Sequence, residues 1–467
     1  MAQNFIECDR EQAFLLPPSL RDWLPEDHLA WCVLDAVAEL DLAAFYADYR
    51  SDGWGGAAHD PAMMVALVLY AYAIGERSSR GIERRCSDNL AFRVITANQV
   101  PDHATVARFR VRHQDALAGL FCGILALCAR AGLVRVGVIA LDGTKIHANA
   151  SGRANRSYEQ IAREILEEAD ALDAAEDAHW GERRGDELGP ELADRRTRRE
   201  RLAHARRELE AEQAERAPAH SRPQRLREAK RRLEEDWQLE RAAHAEHEAW
   251  RARRGAERAA QGRAMLGRPP GPSAPPAAPR ATVNLTDPDS RPVKTPRGFI
   301  QGFNAQAVCT PSQVVIAADV RTGSPDAGLL EPMVDLARRQ LLEAGVEERP
   351  DVVLADAGYW SAPQIRALGA AGQRVLVPPD GHARRAPRPG RRDGPYRAMR
   401  EQLASAPGTA LYRRRQAMIE PIFAQTKVTR RADRFQRRGL VACRAEWKLI
   451  TATHNLLKLW RASAAAA

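Results

Sequence analysis

Two short apolar runs, far apart in the chain, each deliver an aspartate followed closely by glycine. Val134-Arg135-Val136-Gly137-Val138-Ile139-Ala140-Leu141 leads into Asp142-Gly143, and Asp351-Val352-Val353-Leu354-Ala355 leads into Asp356-Ala357-Gly358. Runs of this length, rich in Val and Ile and bounded by turn residues, read as buried strands that end at their aspartates. Ligands of open α/β sheets bind beyond the carboxyl ends of the strands. If the two strands are neighbours, Asp142 and Asp356 stand close together. Two such carboxylates repel each other, and a divalent cation relieves the repulsion. Either aspartate taken singly reads equally as an ordinary turn or helix-capping residue.

The sequence on either side of these strands falls into blocks. Residues 1–130 read as helical. Asp60 before Pro61 is an N-cap with proline at the first helical position, and Gly75 closes the apolar run that follows. Ser78 or Ser79 caps a second helix, and a third, from about Ala104 to His113, carries Arg108, Arg110 and Arg112. Three short helices with a basic third suit a helix-turn-helix-like DNA contact, or simply a solvated face. Residues 155–262 are rich in Ala, Glu and Arg and read as a charged helical block, a hairpin or coiled coil. Residues 263–280 are rich in Pro, Gly and Ala and read as a linker. Strand-like sequence then resumes, so the 155–262 block is an insertion. Asn304–Thr310 and Gln313–Val320 predict a hairpin. A helix from Pro325-Asp326, the Asp356 strand, a helix from Ser361, a strand at Arg374–Val377 and a helix around Tyr412–Arg431 follow. That order is close to that of a ribonuclease H-like domain with a mixed sheet.

Charge and cysteine content narrow the function. Lys and Arg number 70 against 61 Asp and Glu, a formal net charge of +9. The excess is concentrated late in the chain: from Lys427 to Arg461 the only acids are Asp433 and Glu446. This favours a polyanionic partner and argues against a small-molecule substrate. The 7 cysteines form no Cys-x-x-Cys pair, which disfavours a structural zinc site and suits a reducing compartment. The N-terminus is polar, so no leader peptide is expected. The longest apolar stretch, Met63–Ile74, falls short of the ~20 residues that cross a bilayer.

A third carboxylate comes from Glu420. On a helix it shares a stripe with Arg413, Lys427 and Arg431, while Met418 and Ile422 face a core. The stripe suits a metal beside a phosphate backbone, or a solvated face with an internal ion pair. Pro421 disfavours helical geometry at Glu420 and predicts a kink or a helix start there.

Four segments together carry a specific resemblance: LDGTKIHANAS (Leu141–Ser151), NLTDPDSRPVKTPRGFIQGFNAQ (Asn284–Gln306), LADAGYWS (Leu354–Ser361) and YRRRQAMIEPIFAQTK (Tyr412–Lys427). They resemble bacterial insertion-sequence transposases of the DDE type. The segment from Asp60 to Arg110 resembles the helical domain that precedes the catalytic core in that family. The resemblance implies an all-α DNA-binding domain at 1–130 and a ribonuclease H-like catalytic domain at 131–154 and 281–461. It implies a metal-binding and catalytic triad of Asp142, Asp356 and Glu420, with two Mg2+ or Mn2+ ions. Tyr412, Arg415 and Lys427 match the family's Tyr-Arg-Glu-Lys signature, although the Arg-to-Glu spacing is one residue longer than usual. The implied activity is cleavage of DNA by water, followed by attack of the freed 3′ hydroxyl on target DNA. The implied partners are element terminal repeats and target DNA, bound by a homodimer in the bacterial cytoplasm. Lys145 and Lys427 are expected to hold phosphates, with Arg108, Arg110 and Arg112 contributing to DNA binding. Trp360 and Tyr359 are expected either to stack on a base or to pack in the core. A DNA-binding derivative that has lost catalysis is the competing reading, and the presence of all three acids weighs against it.

Overall fold

A computed structural model describes residues 19–49, 58–181, 222–262, 279, 281–323, 325–381 and 394–466. The expected linker at 263–280, apart from residue 279, lies outside the described residues. So do 182–221 of the expected insertion and the arginine-rich run at 382–393. The chain divides into two compact units, Met1–Asn149 with Pro292–Ala467, and Ala150–Arg291.

The first unit opens with α1 (Leu29–Ala38), α2 (Ala43–Tyr46), α3 (Pro61–Ala73), α4 (Ser79–Asp88), α5 (Leu90–Ile95), α6 (His103–Arg112) and α7 (Gln114–Arg130). The start signals read from the sequence operate as expected. Asp60 accepts from the Ala62 N–H at 3.2 Å and Ser78 from Gly81 at 3.3 Å; the third helix is capped by Asp102, not singled out from the sequence, which accepts from Thr105 at 2.8 Å. α3 is buried nearly all round and so lies at the centre of the helical region. Gly75 follows it with φ +87°, and a Cβ there would lie 2.9 Å from the Arg430 carbonyl oxygen. The position therefore needs glycine both for its backbone conformation and for close approach.

The sheet contains β1 (Val138–His147), β4 (Arg291–Thr295), β5 (Gly298–Cys309), β6 (Val315–Arg321), β7 (Val352–Ala355) and β8 (Arg374–Leu376). Its order is β4-β5-β1-β7-β8, with β6 also paired to β5. β1–β5 and β5–β6 are antiparallel; β1–β7 and β7–β8 are parallel. The expected hairpin is β5–β6. The first strand differs from expectation, because it does not stop at Asp142. β5 continues to pair with β1 as far as His147, after β7 has ended at Ala355. The chain remains extended because one neighbour still satisfies its backbone.

The later helices of this unit are α10 (Leu330–Glu343), α11 (Ala362–Ala370), α12 (Pro395–Ala404), α13 (Ala406–Ala424) and α14 (Leu440–Ala466). α14 packs on α7, α3 and β6, which binds the helical region to the sheet. A buried ion pair fixes this packing. Arg77 donates to Glu446 Oε1 at 3.0 Å and to the carbonyls of Arg431 and Arg434, each at 2.8 Å. Glu446 also accepts from the Gln436 and Arg437 N–H groups. The loop so held extends the sheet's reach: His147 N–H donates to Asp433 O and Phe435 N–H to His147 O, both at 2.9 Å.

The second unit contains α8 (Tyr158–Trp180) and α9 (Arg222–Ala260), with the small pair β2 (Asn155–Ser157) and β3 (Thr282–Asn284). Ser157 and Gln160 form a capping box on α8. Ile161, Leu226, Ala229, Leu233 and Val283 make a buried cluster at one end of the helix pair.

Breaking a buried ion pair by removing one partner costs about 3–5 kcal/mol. Glu446→Ala is expected to lower unfolding stability by that amount in urea titration, with Glu446→Gln intermediate. Equal stability of Glu446→Ala and the parent protein would refute the clamp.

Candidate active site

Leu141 and Ala355 are the last parallel partners of β1 and β7. Asp142 and Asp356 are the next residue on each strand, and paired strands lie about 4.8 Å apart. β7 stops because Asp356 caps a tight 3-10 turn, Ala357–Tyr359, its side chain accepting from the Gly358 N–H at 2.9 Å. Asp142 accepts from the Gly143 N–H and from Arg415 Nη1, each at 2.8 Å. Burial pushes the Asp142 carboxyl up to about 6, against the downward pull of Arg415, and the neighbouring Asp356 raises it further. Two acids at one strand end thus oppose each other's charge, and a single guanidinium offsets part of the cost.

Arg415 comes from α13, which packs against β1 and β7. Its side chain is 8% exposed, and Tyr412 stands one turn earlier on the same helix. Burial raises the Tyr412 hydroxyl. The helix continues through Pro421 and ends in a π turn, Gln425–Thr429. The helix therefore does not start at Glu420: it is capped much earlier, by Ser405, and Pro421 lies inside it. Proline has no N–H to offer the carbonyl four residues back. That carbonyl, of Ala417, accepts instead from Gln313 Nε2 at 2.9 Å. Within the π turn, Lys427 donates to the Lys145 carbonyl of β1 at 2.7 Å, and burial lowers its Nζ.

Glu420 is exposed on α13. The residue four beyond Arg415, on the same face of the helix, is the fully buried Ile419. Glu420 lies a further ~100° round the helix. Among the described residues, no group of three or more His, Cys, Asp or Glu is gathered so as to hold a metal ion. The structure thus brings Asp142 and Asp356 together and leaves Glu420 outside their immediate group. The oxygen chemistry of the aspartate pair fits a hard cation, because Mg2+ takes one or two carboxylates and completes its shell with water and phosphate.

Of the expected DNA contacts, Lys145 lies beside the pair, with Nζ 3.6 Å from Asp326 Oδ1. Arg110 is committed internally to Tyr72, the Arg77 carbonyl and Ser79. Arg112 binds the backbone of Asp48 and stacks over Tyr49. Arg108 remains exposed, with Thr105 as a neighbour. Tyr359 is fully buried, so it packs in the core, and Trp360 meets Tyr396 edge-on.

Sequence reasoning missed the buried amides Asn304 and Gln306 and the aspartate they serve, Asp326. Asn304 Nδ2 and Gln306 Nε2 donate to Asp326 Oδ1 at 2.7 and 2.9 Å. The available signal was two amides at alternate positions, 304 and 306, within the otherwise apolar run Phe303–Cys309.

A mixed-sheet α/β domain with paired aspartates at adjacent strand ends, flanked by Arg and Lys from one helix, has the equipment for phosphate-ester chemistry. Residues 18–112 match the transposase domain family (DUF772), and residues 280–456 match the transposase DDE domain family. The chain belongs to the insertion-sequence transposases of the DDE type. Comparison with curated proteins and with solved structures finds no match. No single helix among the described residues is long and apolar enough to cross a membrane.

The raised Asp142 has a stability consequence. The folded chain holds the Asp142 proton more tightly than the unfolded chain, whose ordinary value is 3.8. The side chain therefore favours folding below that value, and the advantage is lost as pH rises through about 6. In metal-free protein, Asp142→Asn is expected to melt higher than the parent near pH 8, by roughly 2–3 kcal/mol, and to converge with it near pH 4. A difference independent of pH would show that Asp142 is not strained by burial.

Proposed function

We propose that this chain cuts and rejoins DNA phosphodiesters at the ends of an insertion sequence, using a ribonuclease H-like core. The observation that carries the reading is the β1–β7 register, whose parallel pairing ends at Leu141 and Ala355, one residue before Asp142 and Asp356. The strand path supports the fold assignment: β6, β5 and β1 form an antiparallel meander, and β7 and β8 continue it in parallel.

In this reading Asp142 and Asp356 hold Mg2+ or Mn2+, and Glu420 completes the triad. Glu420 stands on α13 between two anchors, Arg415 on Asp142 and Lys427 on the Lys145 carbonyl. This reading requires the Glu420 side chain, exposed on α13, to turn toward the pair when the metal and DNA bind. The bound metal would activate the attacking oxygen and stabilise the leaving one. Arg415, held by Asp142, carries a positive charge to the aspartate pair, where charge develops on a phosphate. Lys145 and Lys427 place two more cations along β1, where a DNA backbone is held by charge rather than by sequence. Water attacks the phosphodiester at the element end and breaks its P–O3′ bond, which frees a 3′ hydroxyl; that hydroxyl then attacks a target phosphodiester, whose own 3′ oxygen leaves. Arg108, exposed on α6, is the arginine of its helix best placed to meet DNA. Two element ends imply a homodimer.

The test is strand cleavage of DNA carrying the element's ends, with Mg2+ or Mn2+. Asp142→Asn, Asp356→Asn and Glu420→Gln are each expected to lower the cleavage rate by at least about 10²-fold, while DNA binding in a mobility-shift assay persists. Cleavage by Glu420→Gln at the parental rate would remove Glu420 from the triad. Undiminished cleavage by either aspartate variant would sink the assignment of the site.

A further inference from the structure

We propose that Asp326 is a positioning residue which, through Gln306 and Tyr359, sets where Asp356 stands beside Asp142; this rests on the reading of the aspartate pair given above. Asp326 precedes α10 and approaches the strand ends from outside the sheet. It accepts on Oδ1 from Asn304 Nδ2 at 2.7 Å and from Gln306 Nε2 at 2.9 Å, with Lys145 Nζ at 3.6 Å. Gln306 Nε2 is shared with Asn304 Oδ1 at 3.0 Å. On its other side, Gln306 Oε1 accepts from the Tyr359 hydroxyl. Tyr359 ends the turn that Asp356 caps.

The polarity of this chain is fixed at its head. An amide can present either its oxygen or its nitrogen, whereas an ionised carboxylate only accepts. Asp326 therefore turns both amide nitrogens toward itself. That leaves Gln306 Oε1 facing Tyr359, whose hydroxyl must then donate. Asn304, Gln306 and Tyr359 are fully buried, so a reversed amide would leave groups unpaired at a cost. Trp447 Nε1 pins the Gln306 backbone carbonyl at 2.8 Å, so the amide pivots on a fixed strand.

Two glycines leave room for the arrangement. Gln306 and Asn304 pair in register with Gly143 and Lys145 of β1. A Cβ at Gly143 would meet Gln306 Nε2 at 2.3 Å, with Asn304 Oδ1 and Asp326 Oδ1 at 2.9 Å. The residue after Asp142 is thus glycine because this network occupies the space. A Cβ at Gly358 would lie 3.0 Å from Asp356 Oδ1 and 3.5 Å from Asp326 Oδ2. Asp326 and Asp356 therefore flank the same glycine. Burial, followed by Asp326, Asp142 and Asp356, pushes the Tyr359 hydroxyl up, which is consistent with three carboxylates converging near it and with its role as donor.

The test compares Asp326→Asn, Asp326→Ala, Tyr359→Phe and the Asp326→Ala/Tyr359→Phe double variant in the full chain, reading binding of Mn2+ alone and unfolding by urea. Asp326→Asn still offers an oxygen to both amides and is expected to keep Mn2+ affinity within about threefold of the parent. Asp326→Ala and Tyr359→Phe are each expected to weaken it about tenfold. The double variant is expected to be no weaker than the worse single one, because both act through one chain. If Asp326→Asn loses as much affinity as Asp326→Ala, Asp326 contacts the cation itself and the positioning role is overturned. Multiplying losses in the double variant, or parental affinity in Asp326→Ala, would also overturn it. Should the parent bind no Mn2+, the cation reading of the previous section fails, and the unfolding data decide the network separately. Non-additive destabilisation supports the Asp326–Gln306–Tyr359 chain, and additive destabilisation refutes it.

Discussion

Asp142 holds a charge in a place that does not favour charge. It is largely buried, it faces a second carboxylate across one strand spacing, and its ionised form is opposed by both conditions. Much of the surrounding structure is organised around this unfavourable site. Arg415 approaches from α13 and is itself buried, so it too requires a partner, and the two charges hold each other. α13 must then pack against β1 and β7, and Lys427, just beyond its end, is fastened to the Lys145 carbonyl. Strain of this kind is useful where a cation or a phosphate is to be bound, since the arriving group is met by side chains that need no reorganisation.

The position of that helix depends on groups remote from the aspartates. Pro421 withholds one N–H from α13, and the freed Ala417 carbonyl becomes a point of attachment for Gln313. Gln313 has φ +63° and also accepts from Lys458 Nζ at 2.6 Å on its side-chain oxygen. A residue that weakens a helix internally thus ties it to α14 externally. The same C-terminal helix supplies Glu446, the partner of Arg77. The helical region, the sheet and α13 consequently share one set of anchors, in keeping with their forming a single compact unit.

What was legible in the sequence follows from which interactions are local. β7 is buried throughout, so an uninterrupted apolar run announced it, and its cap at Asp356 lay within two residues of the strand. The caps at Asp60 and Ser78 were legible for the same reason. The end of β1 was not, because only β5, more than a hundred residues later, decides how far the strand continues. A helix start at Glu420 was expected because proline was weighed by what it removes, without the distant Gln313 that compensates. The facing of Glu420 was equally hidden. Arg415 sets the azimuth of the helix by reaching Asp142, and a spacing of five then leaves Ile419, not Glu420, on the inner face. Arg110 looked like part of a basic face, yet a tyrosine hydroxyl, a serine and a carbonyl brought near by folding engage it.

The polar residues of β5 point to a general property of such sheets. A strand buried on both faces ordinarily carries only apolar side chains, because each buried polar atom must find a partner. β5 carries Asn304 and Gln306 on one face, both fully buried, and each finds partners on other elements. Two amides in succession form a relay whose direction neither can choose, so a carboxylate at one end and a phenol at the other determine it. Such a relay would be an expensive way to stabilise a sheet that Val or Leu could hold together. Its location accounts for it: it runs beneath the glycine that follows Asp142 and ends on the turn that carries Asp356. Precision in the spacing of two like charges is something an apolar core, which packs by volume rather than direction, does not supply.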